Sequence, residues 1–223
     1  MKIPKTLIFL TLIFAFTAST AFAIPELQLY IESSTYDPGS ETWVFNSGSF
    51  KLWVMGNISG PGGKGPISNV FLSAAYPSTE SGSITFTPII TSLVTDPSTP
   101  VAPTIPLLDG TGTWPTIPTM GDGTDLPSHG IYGPGTSWTK YSIGDFTLSD
   151  SPVGDLINSY PPSAWYVDAG QINAYEVIVA GYSWVHFDAF DTYGTDKETF
   201  APFSHDAQYA VPEPATMFLL GSG

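Results

Sequence analysis

The chain has 223 residues, of which 42% are hydrophobic and 12% are charged, so its composition is that of a folded protein and excludes an intrinsically disordered one. Asp and Glu outnumber Lys and Arg by 20 to 6, which excludes a nucleic-acid binder because such proteins need clustered basic residues. Cysteine is absent from the sequence, so disulfides and thiolate metal ligands are excluded as well.

The first 23 residues have the pattern of a cleavable signal peptide. Lys2 and Lys5 form a short basic region, residues 7–16 are almost entirely apolar, and Ala21 and Ala23 supply the small-x-small pattern of a signal peptidase site. The apolar run is shorter than the roughly 20 residues that a membrane-spanning helix needs. We therefore predict export, with signal peptidase cutting after Ala23.

Residues 24–206 are predicted to form one β-rich domain. Leu27, Leu29 and Ile31 alternate with polar or amphipathic residues, and this period of two is typical of strands. Strands are predicted at 27–32, 42–46, 50–55, 67–76, 83–90, 139–148, 171–180 and 184–190. A short helical turn is an option at 152–157, where a Pro follows a capping residue. The expected fold is an all-β, antiparallel β-sandwich of jelly-roll-like type.

Residues 95–136 interrupt the strand pattern. Pro, Gly, Thr and Asp dominate this range, and apolar residues occur singly. Loops of this length in compact domains are disordered or functional. We predict a long loop excursion from the sandwich, either packed on itself or poorly ordered, with a binding loop as the alternative.

The C-terminal segment, residues 207–223, carries the tripeptide Pro212, Glu213 and Pro214 after Val211, followed by a short apolar stretch. This resembles the PEP-CTERM sorting signal. In proteins with that signal, a transmembrane helix and a basic cluster follow the motif, and an exosortase is thought to cleave near it. Here the apolar stretch is short and no Lys or Arg follows, so we expect an incomplete tag and transient membrane anchoring at most.

Several segments of the domain are similar to one group of bacterial secreted proteins. They are Ile24–Tyr30, Phe50–Val54, Ser128–Gly133, Gly144–Leu148 and Phe200–Asp206. Together they resemble the choice-of-anchor N family, whose members carry a common globular part with different C-terminal anchors. The resemblance covers nearly all of residues 24–206 and implies a surface protein, with no activity and no catalytic residue attached.

Sequence motifs for catalysis give little support to an enzyme. Residues 60–65 match the spacing G-x-G-x-x-G, but a strand follows them instead of the helix that a dinucleotide site needs, so we predict a hairpin loop. His129 and His205 each have one polar neighbour. His186 and Asp188 are two residues apart in a predicted strand and therefore share a face, as a metal site, an acid–base pair or a hydrogen-bonded structural histidine would require.

Acidic and aromatic residues supply the candidate ligand sites. A structural calcium ion is one hypothesis for the strand end and loop that contain Asp188, Asp191, Asp196 and Glu198, since calcium favours several oxygen ligands, and a solvated acidic loop is the alternative. Trp114, Trp138 and Trp165 lie in or beside loops, where an exposed ring can stack on a sugar, although most large aromatic residues of β proteins fill the core.

Two functions remain open from the sequence. The first is a non-enzymatic, surface-sorted β-sandwich protein associated with the extracellular matrix or with surface polysaccharide. Its expected partners are signal peptidase and an exosortase-like protease. The second is a secreted glycan-active enzyme that uses a carboxylate pair, Asp145 with Asp188 or Asp191. Such an enzyme needs two carboxyl groups about 5 to 10 Å apart. We favour the first.

Overall fold

The computed structural model describes residues 26–59, 65–89, 104–120, 123–128, 130–157, 168–191 and 206–211. The predicted signal peptide and the tripeptide of the predicted sorting tag lie outside these ranges. No helix occurs within them, and hence none that is long and apolar enough to span a bilayer.

The described chain forms a series of strands, labelled in chain order. They are β1 (Leu27–Ile31), β2 (Thr35–Asp37), β3 (Thr42–Phe45), β4 (Ser49–Ser59), β5 (Ile67–Pro77), β6 (Ser83–Ile89), β7 (Leu107–Thr113), β8 (Thr136–Phe146), β9 (Ser151–Val153), β10 (Asp168–Ala180), β11 (Trp184–Asp191) and β12 (Asp206–Ala210). All eight predicted strands are present, each with bounds that overlap the prediction.

The strands belong to two sheets. The first sheet has the order β1-β4-β10-β6, with β9 added beside β10, and the second has the order β2-β3-β12-β11-β5-β8-β7. Every described strand pair is antiparallel except β3 with β12, which is parallel. The all-β, antiparallel prediction is therefore confirmed, with that one exception.

The two sheets pack face to face on an aromatic core. The ring of Phe50, on the first sheet, lies 6.0 Å from Phe187 and 6.2 Å from Tyr209, both on the second. Phe86 and Tyr141 join the sheets at a second point, with ring centroids 5.0 Å apart. Aromatic pairs of this kind stabilise a protein by about 0.5–1.5 kcal/mol each beyond the area that they bury. Ring contacts thus hold the sandwich together across its width.

Two local predictions are wrong. The Gly-rich segment 60–65 does not close a hairpin, because β4 belongs to the first sheet and β5 to the second, so the chain crosses between sheets there. Residues 152–157 form no helical turn. Pro152 lies in β9, whose backbone pairs with β10 instead of forming the hydrogen bonds of a helical turn.

The insertion predicted as a loop at 95–136 contains a strand and a second core. β7 pairs with β8 and extends the second sheet at its edge. Residues after β7 then fold back over the outer face of that sheet. Leu126 and Tyr132 are buried there against Phe71, Trp138 and Phe190, which the strands contribute. The described part of the insertion is therefore packed on the sandwich, and it covers a face that would otherwise be solvated.

Candidate functional site

β11 presents two kinds of side chain because strand residues alternate between faces. Phe187 and Ala189 point into the core between the sheets. His186 and Asp188 occupy the other face of the same strand, under the insertion, and are 2% and 1% exposed. The prediction that this imidazole and this carboxylate share a face agrees with the structure.

β12 brings two more polar side chains to the same place. It pairs with β11 so that Gln208 lies opposite His186 and Ala207 opposite Phe187. The same register, continued by one residue, puts Asp206 opposite Asp188. Asp206 is 1% exposed. Two carboxylates directly across a ladder repel each other, so this arrangement needs a compensating positive charge.

The imidazole lies between the two carboxylates. His186 Nε2 is 3.4 Å from Asp188 Oδ1 and 3.6 Å from Asp206 Oδ2. On its other side, His186 Nδ1 is 3.3 Å from Gln208 Oε1. An amide oxygen only accepts hydrogen bonds, so Nδ1 carries a proton in this contact. In the neutral ring, the lone pair of Nε2 would then face both carboxylates.

Tyr132, from the insertion, fixes the position of Asp188. Its hydroxyl donates a hydrogen bond of 2.5 Å to Asp188 Oδ2 and is also hydrogen-bonded to Ser73 Oγ at 2.8 Å. Burial, followed by the negative charge of Asp188, raises the pKa of Tyr132 well above its usual value, so the phenol stays protonated and remains a donor. Asp188 Oδ1 is thereby directed toward His186.

The charge state of His186 depends on its two acidic neighbours. Burial by itself lowers the pKa of the imidazole, but the carboxylates of Asp188 and Asp206 outweigh burial and raise the pKa to about 10. The cluster therefore attracts a cation to the space beside Nε2, and a proton is the simplest one. A buried imidazolium with two carboxylates still leaves a net negative charge.

A cavity of about 290 Å³ adjoins the cluster. His186, Asp206 and Gln208 line it from the second sheet, Ile131 from the insertion, and residues 39–42 from the turn before β3 and the first residue of β3. Water and small cations can thus reach His186 and Asp206, although both side chains are almost completely buried by their neighbours.

The three side chains have the donor atoms and spacing of a metal site. One ligand atom from each of His186, Asp188 and Asp206 can be chosen so that all lie within 4.8 Å of one another. Imidazole nitrogen with carboxylate oxygen is a donor set suited to Zn²⁺ and similar ions. The same cluster also offers a general base in the imidazole of His186. A proton that this base accepts or gives up would have to pass through the cavity.

The residues predicted to bind calcium are not brought together in the described chain. Asp188 and Asp191 are three positions apart on β11, and strand alternation puts them on opposite faces. Asp188 instead belongs to the histidine cluster. Asp196 and Glu198 lie outside the described residues.

Of the two carboxylate pairs suggested for a glycan-active enzyme, Asp145 with Asp188 is separated, whereas Asp191 aligns through Val70 with Gly144, next to Asp145. Asp188 aligns through Ser73 with Lys140, five positions before Asp145 on β8, which corresponds to about 17 Å along the strand. The Asp145 carboxylate accepts a hydrogen bond from the backbone N–H of Asn69 and is exposed, whereas Asp191 is buried. Asp145 and Asp188 are therefore too far apart for the glycosidase geometry of about 5 to 10 Å.

Of the tryptophans suggested as sugar platforms, two are described and their surroundings differ. Trp138 is 8% exposed and donates from Nε1 to the carbonyl of Thr116, so it belongs to the second core. Trp114 is 45% exposed at the end of β7. Trp165 lies outside the described residues.

The remaining predicted residues fall at or beyond the limits of the structure. Val211 is described and is 51% exposed, immediately after β12. Ala21, Ala23, Pro212, Glu213 and Pro214 lie outside the described residues, as do His129 and His205.

Asp206 and Tyr132 are the site residues that sequence reasoning missed. Asp206 lies in a short strand of mixed polarity whose register to β11 is a tertiary property. Tyr132 lies in the insertion, and its sequence position gives no sign that it reaches Asp188. Tyr132 falls within Ser128–Gly133, one of the segments on which the family resemblance was based, but that resemblance assigns it no contact.

Comparisons with known proteins do not assign the chain to a family. No family profile matches it, and no curated protein matches it. A search of solved structures found the C-terminal domain of the AgI/II polypeptide BspA from Streptococcus agalactiae. The identity is 10%, the match covers 84% of this chain, and the TM-score is 0.23. The match covers 50% of that structure, so the chain spans about half of its length. At this TM-score the likeness carries no argument, and the conclusions below depend on the residues themselves.

Proposed function

We propose that the protein is an exported β-sandwich that is sorted to the cell surface and acts by display and binding rather than by catalysis. One observation carries the proposal. Every described strand lies between the predicted signal peptidase site at Ala23 and the predicted sorting tripeptide at 212–214, since β1 begins at Leu27 and β12 ends at Ala210. Removing both predicted terminal segments would leave all the described strands in place, as expected if they are processing signals.

The sorting step is the second part of the proposal. The tripeptide Pro212-Glu213-Pro214 is the feature that an exosortase-like protease would recognise, and β12 ends two residues before it. A cleavage site needs an extended, accessible chain, and the exposure of Val211 agrees with that requirement. The resemblance to the choice-of-anchor N family suggested by the sequence, which no family profile matches, would imply the same function, since its members share a globular part attached to various anchors.

The binding partner proposed is surface polysaccharide or another component of the extracellular matrix. Trp114 is the described aromatic residue that supports this, because it was singled out by sequence and keeps 45% of its surface exposed. The glycan-active enzyme stays as the alternative. The separation between Asp145 and Asp188 counts against an enzyme that uses these two carboxylates as its pair.

Processing at the N-terminus is the direct test of export. In the double variant Ala21→Glu, Ala23→Glu, two bulky charged residues occupy positions where signal peptidase needs small ones, so cleavage should be lost. Phe22→Leu changes the residue between them and is the matched control. Intact-mass measurement on the exported fraction should show a chain that begins at Ile24 for the wild type and for the control.

Retention of residues 1–23 in the wild-type product would contradict the proposal. So would equal cleavage of the wild type and the double variant, because the predicted site would then not be the one used.

A further inference from the structure

The space beside His186 Nε2 has the properties of a cation site. His186, Asp188 and Asp206 are each at least nine-tenths buried. Nε2 makes no hydrogen bond among the described residues. Its separations from the two carboxylates, 3.4 Å and 3.6 Å, exceed the 2.7–2.9 Å that is typical of a charge-assisted hydrogen bond.

These separations instead match ligand atoms around a metal ion. Zn²⁺ binds nitrogen and oxygen at about 2.0–2.2 Å in a tetrahedral arrangement, which places neighbouring ligand atoms about 3.3 Å apart. The two measured separations are close to that value. All three ligand atoms lie within 4.8 Å of one another, so only a small movement of one carboxylate is needed to complete the set.

The surrounding groups hold the ligands as outer-shell residues do in metal sites. Gln208 Oε1 accepts from His186 Nδ1 and so keeps the lone pair on Nε2. Tyr132 donates to Asp188 Oδ2 and so holds the carboxylate with Oδ1 on the side of His186. A ligating histidine that donates its second N–H to a carbonyl oxygen, and a ligating carboxylate that is itself hydrogen-bonded, are regular features of such sites.

We propose that His186 Nε2, Asp188 Oδ1 and Asp206 Oδ2 bind one divalent transition-metal ion, for which Zn²⁺ is the best match. The fourth coordination position faces the cavity of about 290 Å³, where water can occupy it. The imidazole ligand disfavours Ca²⁺, which prefers an all-oxygen site with more ligands. This site therefore differs from the calcium loop expected at 188–198, and it does not depend on export or sorting.

The competing explanation is a buried ion-pair cluster in which a proton occupies Nε2. One proton can serve only one of the two carboxylates at a time, and the cluster keeps a net negative charge. The two explanations differ in measurable ways. A metal site responds to chelators and to added ions, whereas an ion-pair cluster responds to neither.

The first measurement is titration of the chelator-treated, purified protein with ZnCl₂ by isothermal calorimetry, paired with thermal unfolding. We expect saturable binding of one ion per chain and a higher unfolding temperature with Zn²⁺ than with EDTA. Co²⁺ should bind at the same site and give the visible absorption of a tetrahedral ion. Ca²⁺ should not displace it.

Ligand variants locate the ion. Asp206→Asn and His186→Gln keep the size of the side chain approximately and remove one donor, so Zn²⁺ affinity should fall by more than the 10–100-fold typical of losing an outer-shell partner. Asp168→Asn is the matched control, because Asp168 is another buried aspartate, hydrogen-bonded to Asn57 at 2.8 Å and outside the cluster. Its affinity should equal that of the wild type. Tyr132→Phe keeps all three ligands and should weaken binding by about 10–100-fold.

Two results would overturn the metal site. One is a wild-type protein that binds neither Zn²⁺ nor Co²⁺ at micromolar concentration and unfolds at the same temperature with and without EDTA. The other is wild-type affinity in both Asp206→Asn and His186→Gln. If these variants do not fold, the wild-type Co²⁺ complex decides: paramagnetic shifts of the His186 ring protons support the site, and unshifted protons contradict it.

Discussion

Gly170 is a position in the first sheet where any side chain would collide with backbone. It lies at the register shift near the start of β10, beside Gly56 of β4. A Cβ at this position would overlap the carbonyl oxygen of Gly56 and lie 3.0 Å from Val153 Cγ1. A backbone carbonyl within a ladder cannot move away as the end of a flexible side chain can, so the close approach requires glycine.

Gly170→Ala should therefore destabilise the protein by about 1–3 kcal/mol, the usual cost of overpacking. Gly133→Ala is the control, since nothing lies within 4 Å of its added Cβ. That variant should change the free energy of unfolding by no more than about 0.5 kcal/mol. Chemical denaturation measures both. Equal stability of the two variants would show that β4 and β10 are not as close as described.

The insertion after β7 covers the outer face of the second sheet and contributes Tyr132 to the histidine cluster. Leu126 is 1% exposed and packs in the second core, next to the segment that carries Tyr132. The hydrogen bond from Tyr132 to Asp188 depends on that packing, because Leu126 and Tyr132 pack in the same cluster against the second sheet. Docking of the insertion and order in the histidine cluster should thus be lost together.

Leu126→Ala tests this coupling. Burial of Leu126 predicts a loss of about 2–5 kcal/mol in the free energy of unfolding, together with faster proteolysis within residues 114–135. Leu108→Ala is the matched control, because Leu108 is 67% exposed on β7 and its truncation should have little effect. Similar proteolysis of the two variants would mean that Leu126 does not anchor the insertion.

Prediction of elements from the sequence succeeded where hydrophobic alternation was strong. β1 and the first half of β4 have that pattern, and both strands were found. β2 and β9 have only three residues, too few to show a period. β7 contains two glycines and no β-branched apolar residue, and glycine weakens the signal of a strand. These strands form because a neighbouring strand offers hydrogen-bond partners, which is information the local sequence does not contain.

The candidate site was only half predictable for the same reason. His186 and Asp188 are two residues apart, so alternation within one strand puts them side by side. Asp206 joins them through strand pairing, and Tyr132 through the fold of the insertion. Both contacts bridge distant parts of the sequence, and strand register is set by the whole sheet.

At the scale of the whole molecule, the sandwich and its two flanking segments form a consistent arrangement. The described strands occupy the chain between two predicted processing sites, and with no cysteine the domain relies on packing for its stability. The ring contacts between sheets supply part of that packing, and a bound ion at the histidine cluster would add to it. The proposed export would make both important, because the chain would have to remain folded without disulfides.

The central claim of surface display is tested most directly by antibody labelling of intact, unpermeabilised cells that produce the full chain with its own first 23 residues. The account predicts labelling on intact cells for the wild type, and loss of that surface label when Glu213 is replaced in Glu213→Gln. Wild-type protein that is labelled only after permeabilisation, and that retains residues 1–23, would contradict it.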